Sequence, residues 1–329
     1  MTRFTKDFNN RVIVKQASDF GTINSNTEYF LDGVIDMGAT SIEIPAGGIY
    51  ISGYNFDISG LISTENNYTL FTSPVGGSGN ILFDNFYIEV SGTTSKVYDI
   101  EGLTGIEAIE VDKINWNNCT SLGTVFNYRQ GLETGTGRFG GTPELTLDGV
   151  WAGGYFIETS IVRSLTDGAY SLYKAGGTFL MSSRFRSNQN LDLNATVSFF
   201  DFSSSNFVNP STVQLDGCLV SRNGAINAGD TTLIPNITEK ALESSWKNNI
   251  GLPNTFVGGT LTLSSEAATT VTLAGTFYDL AGTWAASNLQ HFDSPSSGQL
   301  RHVGDSPIEF VIQIQGTLET TANNEVDLK

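Results

Sequence analysis

The chain has 329 residues, 39% apolar and only 16% charged, with 34 acidic against 17 basic side chains for a net charge of −17. Its 21 Phe, 11 Tyr and 4 Trp demand a core and exclude a disordered chain. A field of that sign repels nucleic acid and anionic membrane surfaces, and no apolar run reaches the roughly 18 residues of a membrane span.

The opening Met1-Thr2-Arg3-Phe4-Thr5-Lys6-Asp7 has no apolar h-region, so no secretory signal is expected and the protein is made in a cytoplasm. Residues 1–22 read as a cap or attachment segment. From residue 23 the signals are β almost everywhere. Tyr29–Met37 is an apolar run ending at Gly38, Thr40–Ile44 alternates and stops at Pro45, and Gly48–Ser52 follows at once. Further short strands are predicted over Ile81–Phe83, Ala108–Val111, Glu144–Leu147 and Thr212–Leu215, separated by Gly, Asn, Ser or Pro. Helical periodicity is almost absent, which disfavours α/β layering.

A weak repeat punctuates these strands. Leu31-Asp32-Gly33-Val34 returns as Leu147-Asp148-Gly149-Val150 and as Leu215-Asp216-Gly217-Cys218. Turns of about 23 residues would fit the separations, inside the range of solenoid repeats. Phe83-Asp84-Asn85-Phe86 and Val111-Asp112-Lys113-Ile114 are degenerate cousins out of exact phase. Short strands, many turns and inward Val, Ile, Leu and Phe favour a right-handed parallel β-helix over 23–234. Asp-Gly would supply its corners, Gly through positive φ and Asp through its capping side chain. Cys119 and Cys218 read as two buried thiols, with nothing to support a disulfide.

Residues 235–254 read as a short helical linker. Thr238 can cap a helix over Glu239–Asn248, Leu242 and Trp246 share a face, and Gly251 and Pro253 end it. From 255 to 329 the strands alternate regularly, as in Thr260–Leu263, Thr269–Leu273 and Ile308–Ile314, which predicts an antiparallel β-sandwich.

Within that last region, Thr270–Trp284, then Leu289-Gln290-His291-Phe292-Asp293 and Gly298-Gln299-Leu300-Arg301-His302-Val303-Gly304, are similar to the small jelly-roll modules of trimeric phage virion fibre and spike proteins, as in marine or Bacteroidetes-infecting tailed phages. The Gly-rich β region resembles the shaft of such fibres. The resemblance implies a homotrimer with 255–329 as trimerisation module, a virion location, other virion proteins as neighbours and a host-surface glycan as partner. It brings no catalytic motif.

The search for chemistry yields little. His291 and His302 are the only histidines, so no metal site and no cofactor are expected, and serine-type triads are disfavoured. Sequons at Asn67, Asn118, Asn194 and Asn236 are ordinary for so Asn- and Thr-rich a chain, and Arg184-Phe185-Arg186 is too small for a nucleic-acid footprint. The stretch 127–141 stands out, with two Arg, a Glu, a Tyr and several Gly in a segment too polar for a core strand. As a solenoid insertion it would form a binding surface, with Tyr128, Arg138, Trp151 and Tyr155 as carbohydrate contacts. Glu133, Asp148 and Glu158 are the nominal carboxylates for an acid-pair mechanism. The plainer reading pairs Arg129 or Arg138 with Glu133 to pin a loop, or gives the arginine a subunit contact. The expected function is therefore a virion structural protein, a fibre or tailspike subunit mediating host attachment. The alternative is a tailspike-type polysaccharide depolymerase.

Overall fold

The structure, a computed structural model, describes residues 10–226, 233–234, 242, 245–253, 258–270, 272–273, 276, 278–290, 292–303 and 313. The chain divides into two compact units, Met1–Thr255 and Phe256–Lys329.

The first unit is all-β, built from parallel strands among the described residues. One long sheet is threaded by ten strands in chain order: Asn10–Val14, Thr27–Leu31, Ile49–Gly53, Ile81–Val90, Ala108–Asn117, Gln130–Thr134, Gly154–Arg163, Phe185–Leu193, Val213–Asp216 and Ser245–Lys247. A second sheet runs Ile42–Glu43, Thr69–Thr72, Lys96–Glu101, Gly123–Phe126, Leu145–Asp148, Ser171–Ala175 and Ser198–Asp201, interleaved with the first along the chain. From Thr27 to Asp201 each coil therefore lays one strand on each sheet. This is a β-helix-like fold.

Registration stacks like positions into columns. Val12, Tyr29, Ile51, Phe83, Val111, Glu133, Ile157, Ser187, Leu215 and Trp246 are successive partners down the long sheet. From Tyr29 to Trp246 every member is buried. Alternation puts the next residues outward, so the strands read buried, half-exposed, buried in turn.

The corners explain the repeat and correct its arithmetic. Asp84 and Asp112 are register partners, and so the following Asn85 and Lys113 share a rung, both left-handed at φ 70 and 52. Thr134-Gly135 and Glu158-Thr159 continue that ladder, with φ 59 and 56 at the second residue. The cousins are thus in phase with each other and with Leu215-Asp216. Leu31-Asp32 stands two positions further along its strand, since Tyr29 and not Leu31 is level with Phe83 and Leu215. A fixed period of about 23 fails because coils differ in length: Val14 partners Leu31, a step of 17, and Ile51 partners Phe83, a step of 32. Tyr29 and Leu215 lie seven rungs and 186 residues apart, about 27 per coil. Leu147-Asp148-Gly149-Val150 belongs to the other sheet and another corner.

The helix is overturned. Ser245–Lys247 is a strand, paired in parallel with Val213–Asp216, and places Trp246 fully buried in the column under Leu215 and edge-on to Phe200. Its i, i+4 partner Leu242 is buried too, so the spacing reflected two core positions rather than a helix face. The proposed start, Glu239–Ala241, lies outside the described residues. Both cysteines are free and buried, and burial pushes the Cys119 thiol up to about 12.

The second unit shows antiparallel pairing. Gly258–Glu266 pairs with Gly282–Gln290, and Phe292–Asp293 with Arg301–His302, closed by a two-pronged Arg301–Asp293 ion pair. Described residues 269–270 and 272–273 form no strand, and the Ile308–Ile314 strand lies almost wholly outside the described residues. No helix among the described residues is long and apolar enough to cross a membrane.

Removing the Trp246 side chain should open a large void at the last rung of the column. We expect Trp246→Ala to cost about 3–5 kcal/mol in denaturant unfolding. A loss below about 1 kcal/mol would place Trp246 outside the cooperative core.

Candidate functional site

The four residues singled out as a glycan platform do meet, but inside the coil. Tyr128, Arg138, Trp151 and Tyr155 are 0, 2, 0 and 3% exposed. Trp151 packs edge-on to Tyr155 at 5.6 Å and tilted against Tyr128 at 6.4 Å. No face is left for a sugar. The polar stretch 127–141 forms no surface insertion either; it supplies two strands of the long sheet, Gln130–Thr134 and Gly137–Phe139.

Glu133 occupies the main core column, between Val111 and Ile157. Arg138 occupies a second column, between Trp116 and Val162, in the same coil. Their charges meet at 3.3 Å with both side chains almost fully buried. The Tyr155 and Tyr173 hydroxyls donate to the same carboxylate at 2.5 and 3.1 Å, and Thr136 reaches it at 3.4 Å. Arg138 also donates to the Pro143 and Leu172 carbonyls at 2.9 and 2.8 Å and lies 4.3 Å from the Tyr173 ring. Arg138 therefore does pair with Glu133, as a core contact rather than a loop pin. A carboxylate so enclosed has no route to a polysaccharide.

Asp148 is a corner residue. One oxygen accepts from the backbone N–H of Gly149 and from both the N–H and hydroxyl of Thr178 in the next coil, at 2.8–2.9 Å. Glu158 is half-buried on the outer face of the long sheet, beside Thr134. The three nominal carboxylates thus lie in the core, at one corner and on one outer face.

What the outer face of the long sheet does gather is a cleft of about 160 Å³ lined by Tyr50, Leu82, Asp84, Glu110, Asp112, Leu132 and Thr134. Register builds it: Tyr50, Leu82, Glu110 and Leu132 form one outward row, and Asp84, Asp112 and Thr134 the next. Burial, then the charges of Asp84 and Glu28, hold the Tyr50 phenol above its usual range. An aromatic ring between carboxylates and a hydroxyl is a sugar-like lining. Asp84 and Asp112 were visible in the sequence as turn residues. Their adjacency was not, because it depends on a 28-residue coil. Among the described residues no three or more His, Cys, Asp or Glu side chains are grouped so as to hold a metal ion.

Comparison of the chain with protein families, with curated proteins and with solved structures finds no match in any of the three.

Two outcomes follow from the buried cluster. Glu133→Gln keeps the shape but leaves Arg138 charged and buried, and should cost about 3–5 kcal/mol. The pair Glu133→Leu with Arg138→Met restores both columns and should be more stable than Glu133→Leu alone in urea titration. An additive double variant would mean that the two charges do not answer each other.

The second outcome concerns pH. Burial, reinforced by the Glu133 charge, holds the Tyr155 and Tyr173 phenols well above their ordinary value of 10.0, and burial raises Tyr98 likewise. Above pH 10 the unfolded chain releases protons that the folded chain keeps, so stability falls as pH rises. Circular dichroism should show cooperative unfolding on the alkaline side, with part of the tyrosinate absorbance withheld until that transition. Full tyrosine titration near pH 10 in an intact fold would contradict it.

Proposed function

We propose that the chain is a structural subunit of a virion fibre or spike, in which the coil stack serves as shaft and its outer face contacts a host-surface glycan. The observation that supports this best is the continuous column from Tyr29 to Trp246, a packed core repeated coil by coil with no break. Such a stack is stiff, because every rung is braced by two neighbours. The finer features belong to the same proposal: right-handed winding, as parallel crossovers favour; a jelly-roll form for 255–329, in keeping with its antiparallel pairs; and a homotrimer in the virion, from the resemblance at Thr270–Gly304. The glycan contact is assigned to the Tyr50 cleft in place of the buried platform.

The reading is tested on particles and on cells. Mass spectrometry should find the chain in purified virions, and the purified chain should bind host cells. Tyr50→Ala should weaken that binding with little change in thermal midpoint. Absence from particles sinks the virion assignment, and unaltered binding removes the cleft from it.

A second reading, polysaccharide cleavage, is favoured by the same cleft. Asp84 and Asp112 are register partners on adjacent rungs, whose backbones lie about 4.8 Å apart, and an acid-pair mechanism needs two carboxyls close together, about 5–5.5 Å in retaining glycosidases. Attachment alone predicts no reducing ends from host polysaccharide. Release that disappears in both Asp84→Asn and Asp112→Asn would replace attachment by cleavage.

A further inference from the structure

Seven connections carry the chain from the second sheet back to the long one: residues 44–48, 73–80, 102–107, 127–129, 149–153, 176–184 and 202–212. They stack along a third side of the coils, and their composition is unlike that of either sheet. Both sheets bear carboxylates on their outer faces, Glu28, Asp84, Asp112 and Glu158 on one and Glu43, Asp99 and Glu101 on the other. The seven connections contain only three charged side chains, Glu107, Arg129 and Arg184. Glu107 is 6% exposed and folds back onto the Thr104 N–H and hydroxyl and the Ile106 N–H. In a chain with 34 acids, this side presents no exposed carboxylate.

It presents apolar side chains instead. Val75, Leu103, Ile106, Val150, Leu180 and Val208 are exposed there, Val75 fully and Ile106 and Val208 at 70 and 65%. Val150 and Leu180 are register partners on the short parallel pair Val150–Trp151 and Leu180–Met181. Trp151 and Met181 turn inward to the core, so Val150 and Leu180 are held outward by the pleat and cannot retreat.

We propose that this face is where a second copy of the chain packs, side by side along the stack. Two molecules that each carry −17 repel one another on every carboxylate-bearing face. They meet with least cost where neither exposes a carboxylate, and a second copy brings an identical apolar face whose exposed charges are Arg129 and Arg184 alone, each a cation set against a molecule of net −17. Six steps of about 4.8 Å make the face roughly 29 Å long, and five residues at about 3.3 Å make it roughly 16 Å wide. That footprint of roughly 460 Å² is at the small end of the scale on which one partner of a standard interface contributes about 800 Å². The inference names the self-contact of the fibre reading, yet rests on charge and exposure alone, so either can fail without the other.

Sedimentation of the full chain tests it. The native chain should sediment as a multiple of its own mass at micromolar concentration. Val150→Lys with Leu180→Lys should raise the dissociation midpoint roughly tenfold or more, since two unpaired ammonium groups would be buried per face. Val75→Lys with Ile106→Lys should act in the same direction. All four positions are exposed, so circular dichroism and the urea midpoint of the dissociated chain should stay as in the native one. A native chain that is monomeric throughout overturns the proposal, whether the face is bare or covered by the chain's own residues. Assembly that survives both lysine pairs overturns it too, and leaves self-association to another surface; cell binding and particle content report on the attachment reading separately.

Discussion

Everything in the first unit depends on one constraint: a side chain in one coil sits about 4.8 Å from its counterparts above and below. A core position is therefore shared by three rungs, and a column tolerates only what all three can pack. The Tyr29–Trp246 column meets this with apolar residues except at Glu133 and Ser187. Ser187 is answered by the Gln189 amide at 2.7 Å. Glu133 is answered by Arg138 in the neighbouring column of the same coil, and by two phenols from coils further on. The charge is neutralised where it arises, so the columns on either side of it remain apolar. Length variation is exported to the connections, which is why steps of 17 and 32 residues can share one register.

The same constraint sets what could be read from the chain alone. Alternation is local, so the strands at Ile49–Gly53, Leu145–Asp148 and Val213–Asp216 were legible almost to the residue. Corner chemistry is local too: Gly33, Gly149 and Gly217 have φ of 109, 69 and 73, as an Asp-Gly corner requires. Phase is not local. Asp84 and Asp112 become neighbours only once the coil between them is known to take 28 residues, and unequal coils hide that number. The candidate site failed for a related reason. Polarity marked residues 127–141 as surface, yet a polar residue can sit in a column when its partner is supplied three-dimensionally, and Arg138 lies five residues beyond Glu133 on another strand. Leu242 and Trp246 misled in the opposite sense, since i, i+4 spacing also arises when a chain enters the core twice.

Surface charge then divides the three sides of the stack into different tasks. The long sheet carries the cleft lined by Tyr50, Asp84, Asp112 and Thr134, the surface to which the proposed reading assigns the glycan. The second sheet exposes Glu43, Asp99 and Glu101 among outward threonines and offers solubility. The connections expose no carboxylate, only Arg129 and Arg184, and are the side proposed for contact between copies. This division follows from the fold. Strand residues repeat their outward positions in every coil, so acids placed there build a continuous charged face, while connections of any length can stay neutral.

Lateral contact is also what the ends of the stack allow. A parallel sheet presents its first and last strands as open edges, and end-to-end addition there would give filaments of uncontrolled length. The first described strand, Asn10–Val14, carries Arg11, whose guanidinium is drawn at 2.6 Å onto Glu28 of the next rung. An arriving strand would have to bury that charge. The last described strand of the sheet, Ser245–Lys247, is three residues long and bears an exposed Lys247. Short, charged edges are poor templates for pairing. With short, charged edge strands and carboxylates lining both sheets, the connections that expose no carboxylate are the side on which the proposed packing of copies meets least repulsion.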